Sequence, residues 1–369
     1  MKKFICPYCF EKHTINTCNV KCSYSTRESK AACYKNIEKD VNGYIPKKNI
    51  ASCLNCQHAR KMFFCPTTGR EIPAECFLGD VMPIALIGAK GSGKSNYLAV
   101  LFSEIRKKMG ISYNCDFNIA TTPETLDTYQ YVYEEPLFHL NRTVEATDNC
   151  NFIPPLICSM RFLKRKKNAV LTFYDTSGSN LCSEERIAVM NRYIACSAGI
   201  IFMIDPLQIT DIREKLDGKI KLPPKTADVS ELLGNVVKII RNVNNMKPNQ
   251  KIDIPIAIAI TKLDVLERFG IIGLDNCLAR ESAHVSRGAY VLSENDSTRR
   301  ELEAILDHCI DDEMLTILQN FKRCEIFGLS ALGSTPDEWN KLTGRVNPRR
   351  VLDPFLWILS EKGLIKKVK

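Results

Sequence analysis

The octet Gly88-Ala-Lys-Gly-Ser-Gly-Lys-Ser95 constrains this chain more than any other stretch. It follows the apolar run Val81–Ile87 and precedes an amphipathic pattern over Lys94–Lys108, so it joins a strand to a helix. Glycines at 88, 91 and 93 free the backbone to turn its N–H groups inward, and a helix N-terminus adds the positive end of its dipole. That combination suits a phosphate. Gly88, Ala89, Lys90, Gly91, Ser92 and Gly93 are expected to cradle it, Lys94 to reach its β and γ oxygens, and the Ser95 hydroxyl to ligate Mg²⁺.

Downstream, β-rich apolar runs alternate with helical patterns, as in a mainly parallel α/β sheet with helices on both faces. Strands are expected at Val81–Ile87, Leu156–Leu163, Ala169–Tyr174, Gly199–Ile204, Ile254–Ile260 and Cys324–Phe327. Helices are expected at Lys94–Lys108, Ser183–Cys196, Ser230–Val243, Leu263–Phe269 and Ser297–Leu318. Leu222-Pro-Pro-Lys225 reads as a turn, and Asp353-Pro-Phe-Leu-Trp-Ile-Leu359 as an apolar helix returning to the sheet. Every apolar run is strand-sized, far below the roughly 20 residues of a membrane helix. Met-Lys-Lys-Phe-Ile-Cys-Pro at the N-terminus lacks the apolar core of a signal peptide. A cytoplasmic protein without a membrane partner is expected.

Before Asp80 the character changes. Nine of the 17 cysteines fall in the first 76 residues, where neither helical nor strand periodicity is sustained. Clustered cysteines in a chain without an export signal point to metal rather than disulfides. Cys6-x2-Cys9-x8-Cys18 recurs as Cys53-x2-Cys56-x8-Cys65, which suggests two zinc-ribbon-like knuckles. The first is expected to close with Cys22 or Cys33, the second with Cys76 or His58. A small zinc-binding domain over 1–79 and a nucleotide domain over 80–369 follow. Residues 1–80 carry 13 Lys+Arg against 7 Asp+Glu, but a zinc held by four thiolates contributes −2, so two sites remove most of that excess. Nucleic acid as a partner is weakly supported.

Two further motifs fall at strand ends. Asp175-Thr-Ser-Gly178 closes the run Val-Leu-Thr-Phe-Tyr; an aspartate there can hold Mg²⁺ through a water, and Gly178 N–H can meet a γ-phosphate. Lys94, Asp175 and Gly178 form the candidate catalytic group. Thr261-Lys262-Leu263-Asp264 caps another strand, where a carboxylate can accept two hydrogen bonds from guanine N1–H and the 2-amino group while the lysine stem covers the ring. Adenine lacks that donor pair and would leave Asp264 unpaired, at a cost of roughly 1–3 kcal/mol. Ser330-Ala331-Leu332 can supply a backbone N–H to the guanine oxygen.

In this order, over about residues 81–333, these motifs resemble the Ras-like, translation-factor-related (TRAFAC) class of P-loop GTPases. The resemblance implies a Ras-like fold, GTP or GDP with Mg²⁺, and a switch threonine as a second motif. Thr147 is expected in that role on Mg²⁺, with Thr143 the other candidate; Thr121, Thr122 and Thr125 come too early unless the insert between the first and third motifs folds differently. Arg142 is either an internal arginine finger or a solvated surface residue. The chain departs from the class at Thr261, where asparagine is commoner, and at Ser179, where Ras-like enzymes carry the glutamine that orients water. Slow or partner-stimulated hydrolysis is therefore expected. Together with the N-terminal Cys-Pro-Tyr-Cys-Phe-Glu11 and Asp353-Pro-Phe-Leu-Trp357, the layout is similar to bacterial zinc-ribbon GTPases related to the double-GTPase proteins of conflict or stress systems. That implies a regulator acting on protein partners. A P-loop ATPase and a zinc-ribbon binding module on a nucleotide-locked scaffold are the alternatives. The basic runs Lys164-Arg-Lys-Lys167 and Lys366-Lys-Val-Lys369 read as a hairpin turn and a tail.

Overall fold

The computed structural model describes residues 3–22, 61–119, 123–145, 154–175, 184–225, 228–273, 275–306 and 312–369. Among them, a hairpin of β1 (Lys3–Ile5) and β2 (Lys12–Thr14) precedes an antiparallel sheet of β3 (Asn19–Cys22), β4 (Lys61–Phe64) and β5 (Glu71–Ile72). The main sheet is built from β6 (Asp80–Gly88), β7 (Cys115–Ile119), β8 (Leu156–Phe162), β9 (Lys167–Tyr174), β10 (Gly199–Ile204), β11 (Ile256–Ile260) and β13 (Cys324–Gly328). Short β12 (Tyr290–Val291) pairs in parallel with β14 (Lys367–Val368) near the C-terminus.

The main sheet runs β13-β11-β10-β6-β9-β8-β7. Its β13, β11, β10, β6 and β9 are mutually parallel, while β8 and β7 add antiparallel pairings at one side. The expected α/β class with a mainly parallel sheet is what the chain forms. The long apolar runs follow from burial on both faces. Along β6, Ile84 and Leu86 enter one core while Ala85 and Ile87 enter the other. On β11, Ala257 and Ala259 face the first core and Ile256, Ile258 and Ile260 the second. Those small residues leave room for the helix Asp353–Glu361, whose residues 353–360 are all buried. A Cβ on Gly199 would lie 2.5 Å from Ile358, so that glycine sets how closely the helix approaches β10.

On the other face, the helix Val229–Val243 buries Leu233, Val236, Val237 and Ile240, the i, i+3, i+4, i+7 stripe of an amphipathic helix. Asp228 caps it by accepting from Ser230 N at 2.7 Å and from Glu231 N. Each such side chain, fully buried, contributes about 1.5–3 kcal/mol gross.

Several expectations are revised. The helix from Lys94 stays regular only to Glu104, then widens into i→i+5 turns over Ile105–Met109. The helix expected over Ser297–Leu318 is two, Leu292–Ile305 and Asp312–Leu318. Neither β7 nor the wide-turned helix Thr128–His139 was expected. Pro136 sits inside that helix and removes a backbone donor, which disguises the segment in sequence. The cysteine-rich residues also share a core with the sheet: Phe4, Cys6 and Cys65 pack with Val81, Ile157 and Val170. No helix among the described residues is long and apolar enough to cross a membrane.

Candidate nucleotide and metal sites

The phosphate loop leaves β6 at Gly88, where a Cβ would lie 2.5 Å from the Met203 carbonyl oxygen and 2.7 Å from Ser92 Oγ. No side chain fits there. Gly91 and Gly93 adopt positive φ of 81° and 91°, which aims the following backbone into the loop. Lys94 is buried and donates from Nζ to Gly88 O at 2.8 Å and Ala89 O at 3.0 Å. Burial pushes its ammonium pKa down, and the nearby Asp175 carboxylate opposes that shift. Ser95 is half-buried at the helix start, and Lys90 is exposed.

Asp175 follows β9 and is buried. Its Oδ2 accepts from Tyr133 Oη at 3.2 Å, while Oδ1 and the buried Ser92 Oγ have no hydrogen-bond partner among the described residues. The protein therefore holds two desolvated, unsatisfied oxygens beside its phosphate loop, the kind of groups that a ligand or ion satisfies. The Ser95 hydroxyl and the Asp175 carboxylate are oxygen donors of the type Mg²⁺ takes. Gly178, Ser179 and Thr147 lie outside the described residues.

A cavity of about 280 Å³ brings the distant motifs together. Gly91, Ser92 and Gly93 line one end, and Thr261, Lys262, Asp264, Ala331 and Leu332 line the other. Asp264 Oδ1 accepts from Ser330 Oγ, which in turn accepts from Gly333 N at 3.0 Å. The carboxylate is thus oriented before any ligand arrives. Ser330 N already donates to Arg349 O at 3.0 Å, so within Ser330-Ala331-Leu332 it is Ala331 and Leu332 that line the cavity with N–H groups unclaimed among the described residues. Lys262 adopts positive φ and turns its Nζ to 2.6 Å from the Asp205 carboxylate. Asp205, at the end of β10, carried no motif and was missed.

Asn96 and Asn340 also escaped the sequence reading, whereas Thr143 is one of its two candidate switch threonines. Asn96 Oδ1 accepts Val144 N at 2.9 Å, and Thr143 lines the cavity with its own N–H donated to Asn340 O. Asn340 also lines the cavity, with Thr335 and Pro336. The loop after the last motif thus closes one wall. Arg142 is exposed, and its backbone N–H donates to Pro136 O.

A second site lies in the cysteine region. Ligand atoms of Cys6, Cys9, His13 and Cys65 all lie within 4.8 Å of one another, and all four residues are buried. Two turns of the same form present them. In one, Cys6 N donates to Glu11 O and Phe10 N to Cys6 O; in the other, Cys65 N donates to Arg70 O and Gly69 N to Cys65 O. Phe10 and Gly69 take the equivalent positive-φ position. The second turn carries Thr68 where the first carries Cys9, so it offers one sulfur rather than two. His13, paired across the hairpin from Phe4, supplies the fourth donor. Hydrogen bonds from Cys6 and Cys9 hold the Cys65 thiol pKa well below its usual range, while Cys6 is pushed up. A Cys3His set of this kind is compatible with zinc.

This grouping departs from the expected pairing. Cys65 joins Cys6 and Cys9 because β4 pairs with β3, Asn19 opposite Phe64, and carries Cys65 back to the first turn. Cys18, Cys22 and Cys76 are buried but stand outside the cluster. Cys33, Cys53, Cys56 and His58 lie outside the described residues.

No protein-family model matches the chain. SaeC of Mycolicibacterium smegmatis, named as an ESX-1 scaffolding and assembly protein, is 25% identical over 343 residues, 87% of this chain and 85% of SaeC. Among solved structures, the Arl6 BBS3 small GTPase of Trypanosoma brucei with bound GppNp is 13% identical at a TM-score of 0.34, covering 78% of this chain and 99% of its own. The G domain of the T. maritima FeoB iron transporter is 10% identical at a TM-score of 0.28, covering 76% and 99%.

Proposed function

We propose that this protein is a GTP-binding regulator that engages other proteins and hydrolyses GTP slowly on its own. The observation that carries the reading is the single cavity lined by both the glycine loop around Gly91 and the carboxylate of Asp264. In that role Lys94 would exchange its two loop carbonyls for phosphate oxygens. Ser95 and Asp175 would hold Mg²⁺, which neutralises phosphate charge when bound. Asp264, already fixed by Ser330, selects guanine by accepting from its N1–H and 2-amino groups. Thr143 or Thr147 serves as the switch threonine.

Cys6, Cys9, His13 and Cys65 hold one zinc in this reading and fix residues 3–22 and 61–79 against the sheet. The name of SaeC supports protein partners within a multi-protein bacterial system, with an assembly role favoured over a conflict role. Ser179 is too short to reach both an attacking water and a γ-phosphate, so unaided turnover no faster than about 10⁻² s⁻¹ is expected. Protein purified without added nucleotide and then denatured should release GDP or GTP. Release of ADP or ATP instead would contradict the reading.

A further inference from the structure

Two basic runs that read in sequence as an ordinary hairpin turn and an ordinary tail are one surface in the fold. Arg165 Nη1 and Lys167 Nζ both donate to Gly363 O, each at 2.9 Å, and so tie the β8–β9 turn to the chain leading into β14. Between them opens a cleft of about 230 Å³ whose lining includes Lys164, Arg165, Arg287 and Lys366 and no acidic residue. All four of these cations are exposed, and among the described residues no carboxylate pairs with any of them. Lys367, by contrast, is neutralised by Glu361 at 2.5 Å.

The cleft is rigid at its base. Gly288 takes a positive φ so close to Ser112 that a Cβ would lie 2.0 Å from the Ser112 carbonyl oxygen, and Tyr113 Oη donates to His284 O at 2.7 Å. Two large exposed apolar residues are next in sequence to its lining: Ile111, 91% exposed, precedes Ser112, and Leu163, 54% exposed, precedes Lys164. Leu163 N donates to Asn114 O, which holds the two flanks together. Because Phe162 pairs with Lys167 at the start of β9 while Asp175 follows its end, the cleft lies at the opposite edge of the sheet from the nucleotide cavity.

We infer that this cleft docks an acidic, apolar-containing peptide segment of a partner protein. Uncompensated cations around a concavity attract a carboxylate-bearing chain, and the exposed Ile111 and Leu163 meet its apolar side chains. A nucleic-acid strand is less well served, because Tyr113 and Phe162, the aromatics in the lining, are buried and offer no face for bases to stack on. A flat anionic membrane would leave the cations inside the concavity short of their counter-charges. The inference does not depend on which nucleotide the other edge binds.

The test is fluorescence anisotropy with the full chain and a short fluorescein-labelled peptide alternating glutamate and leucine. Binding that weakens with salt is expected, and Lys164→Glu/Arg287→Glu/Lys366→Glu should weaken it by about tenfold or more. Ile111→Ser should weaken it independently of salt. Lys164→Gln/Lys366→Gln removes two exposed charges whose ammonium groups make no hydrogen bond among the described residues, and should give a smaller loss with the thermal midpoint unchanged. Absence of binding at low salt, or affinity indifferent to both charge variants, overturns the inference. So does tighter binding of phosphatidylserine vesicles or of a single-stranded oligonucleotide in the same assay.

Discussion

Asn96 Oδ1 accepts the backbone N–H of Val144 at 2.9 Å, so the residue immediately after the Lys94-Ser95 pair holds the chain directly beyond Thr143. On the far side of the same segment, Thr143 N donates to Asn340 O and Leu342 N to Asn141 O. The stretch 141–144 is thereby pinned between the start of the phosphate-loop helix and the loop that walls the cavity.

Cutting that tie should loosen nucleotide. Asn96→Ala removes one partly buried hydrogen bond and leaves Val144 N unpaired, a cost of about 1–3 kcal/mol. Release of a fluorescent GDP analogue should accelerate by about tenfold, whereas Asn96→Asp, which keeps the acceptor, should stay near wild type. Equal release rates in Asn96→Ala and wild type would show that the contact does not restrain the ligand.

The Cys3His cluster separates two cysteines of similar burial. Cys65→Ser should lower the zinc content by one ion per chain and destabilise the fold by several kcal/mol, since ion binding supplies folding energy in a region this small. Cys76→Ala, outside the cluster, should keep that zinc. Elemental analysis of both variants, prepared under reducing conditions, checks the assignment.

That same cluster shows where sequence reasoning stops. The parallel strands and the helix Val229–Val243 were legible because burial on two faces, or on one stripe, writes a local pattern. The glycine loop, Asp175, Asp264 and Ala331 each sit at a strand end that its own neighbours announce, which is why the sequence singles them out as candidates. Cys65 groups with Cys6, Cys9 and His13 through β3–β4 pairing, which spacing does not encode. His13 carried one signal, an interval of four from Cys9 across a tight turn, that was overshadowed by the repeated cysteine spacing. Asn96, Tyr133 and Asp205 act through long-range contacts, and nothing local marks them.

A buried histidine predicts a pH dependence. His284 Nδ1 accepts Val291 N at 2.9 Å, and its ring stacks on Tyr290. Burial lowers its pKa below the ordinary 6.5, against the pull of the Asp353 and Glu294 carboxylates. In the window from 6.5 down to the lowered value, the unfolded chain binds more protons than the folded one. Stability should therefore fall as pH drops through that window, at no more than about 1.4 kcal/mol per unit for this group. His284→Asn, whose amide oxygen can still accept from Val291, should flatten the slope in urea unfolding.

The most direct test of the central claim is calorimetric titration of nucleotide-free protein with Mg²⁺-GTP and Mg²⁺-ATP, repeated on Asp264→Asn with the xanthine nucleotide. The account predicts GTP preferred over ATP by at least about tenfold, and a shift of that preference toward xanthine in Asp264→Asn. Equal affinity for GTP and ATP in the wild-type protein would contradict it.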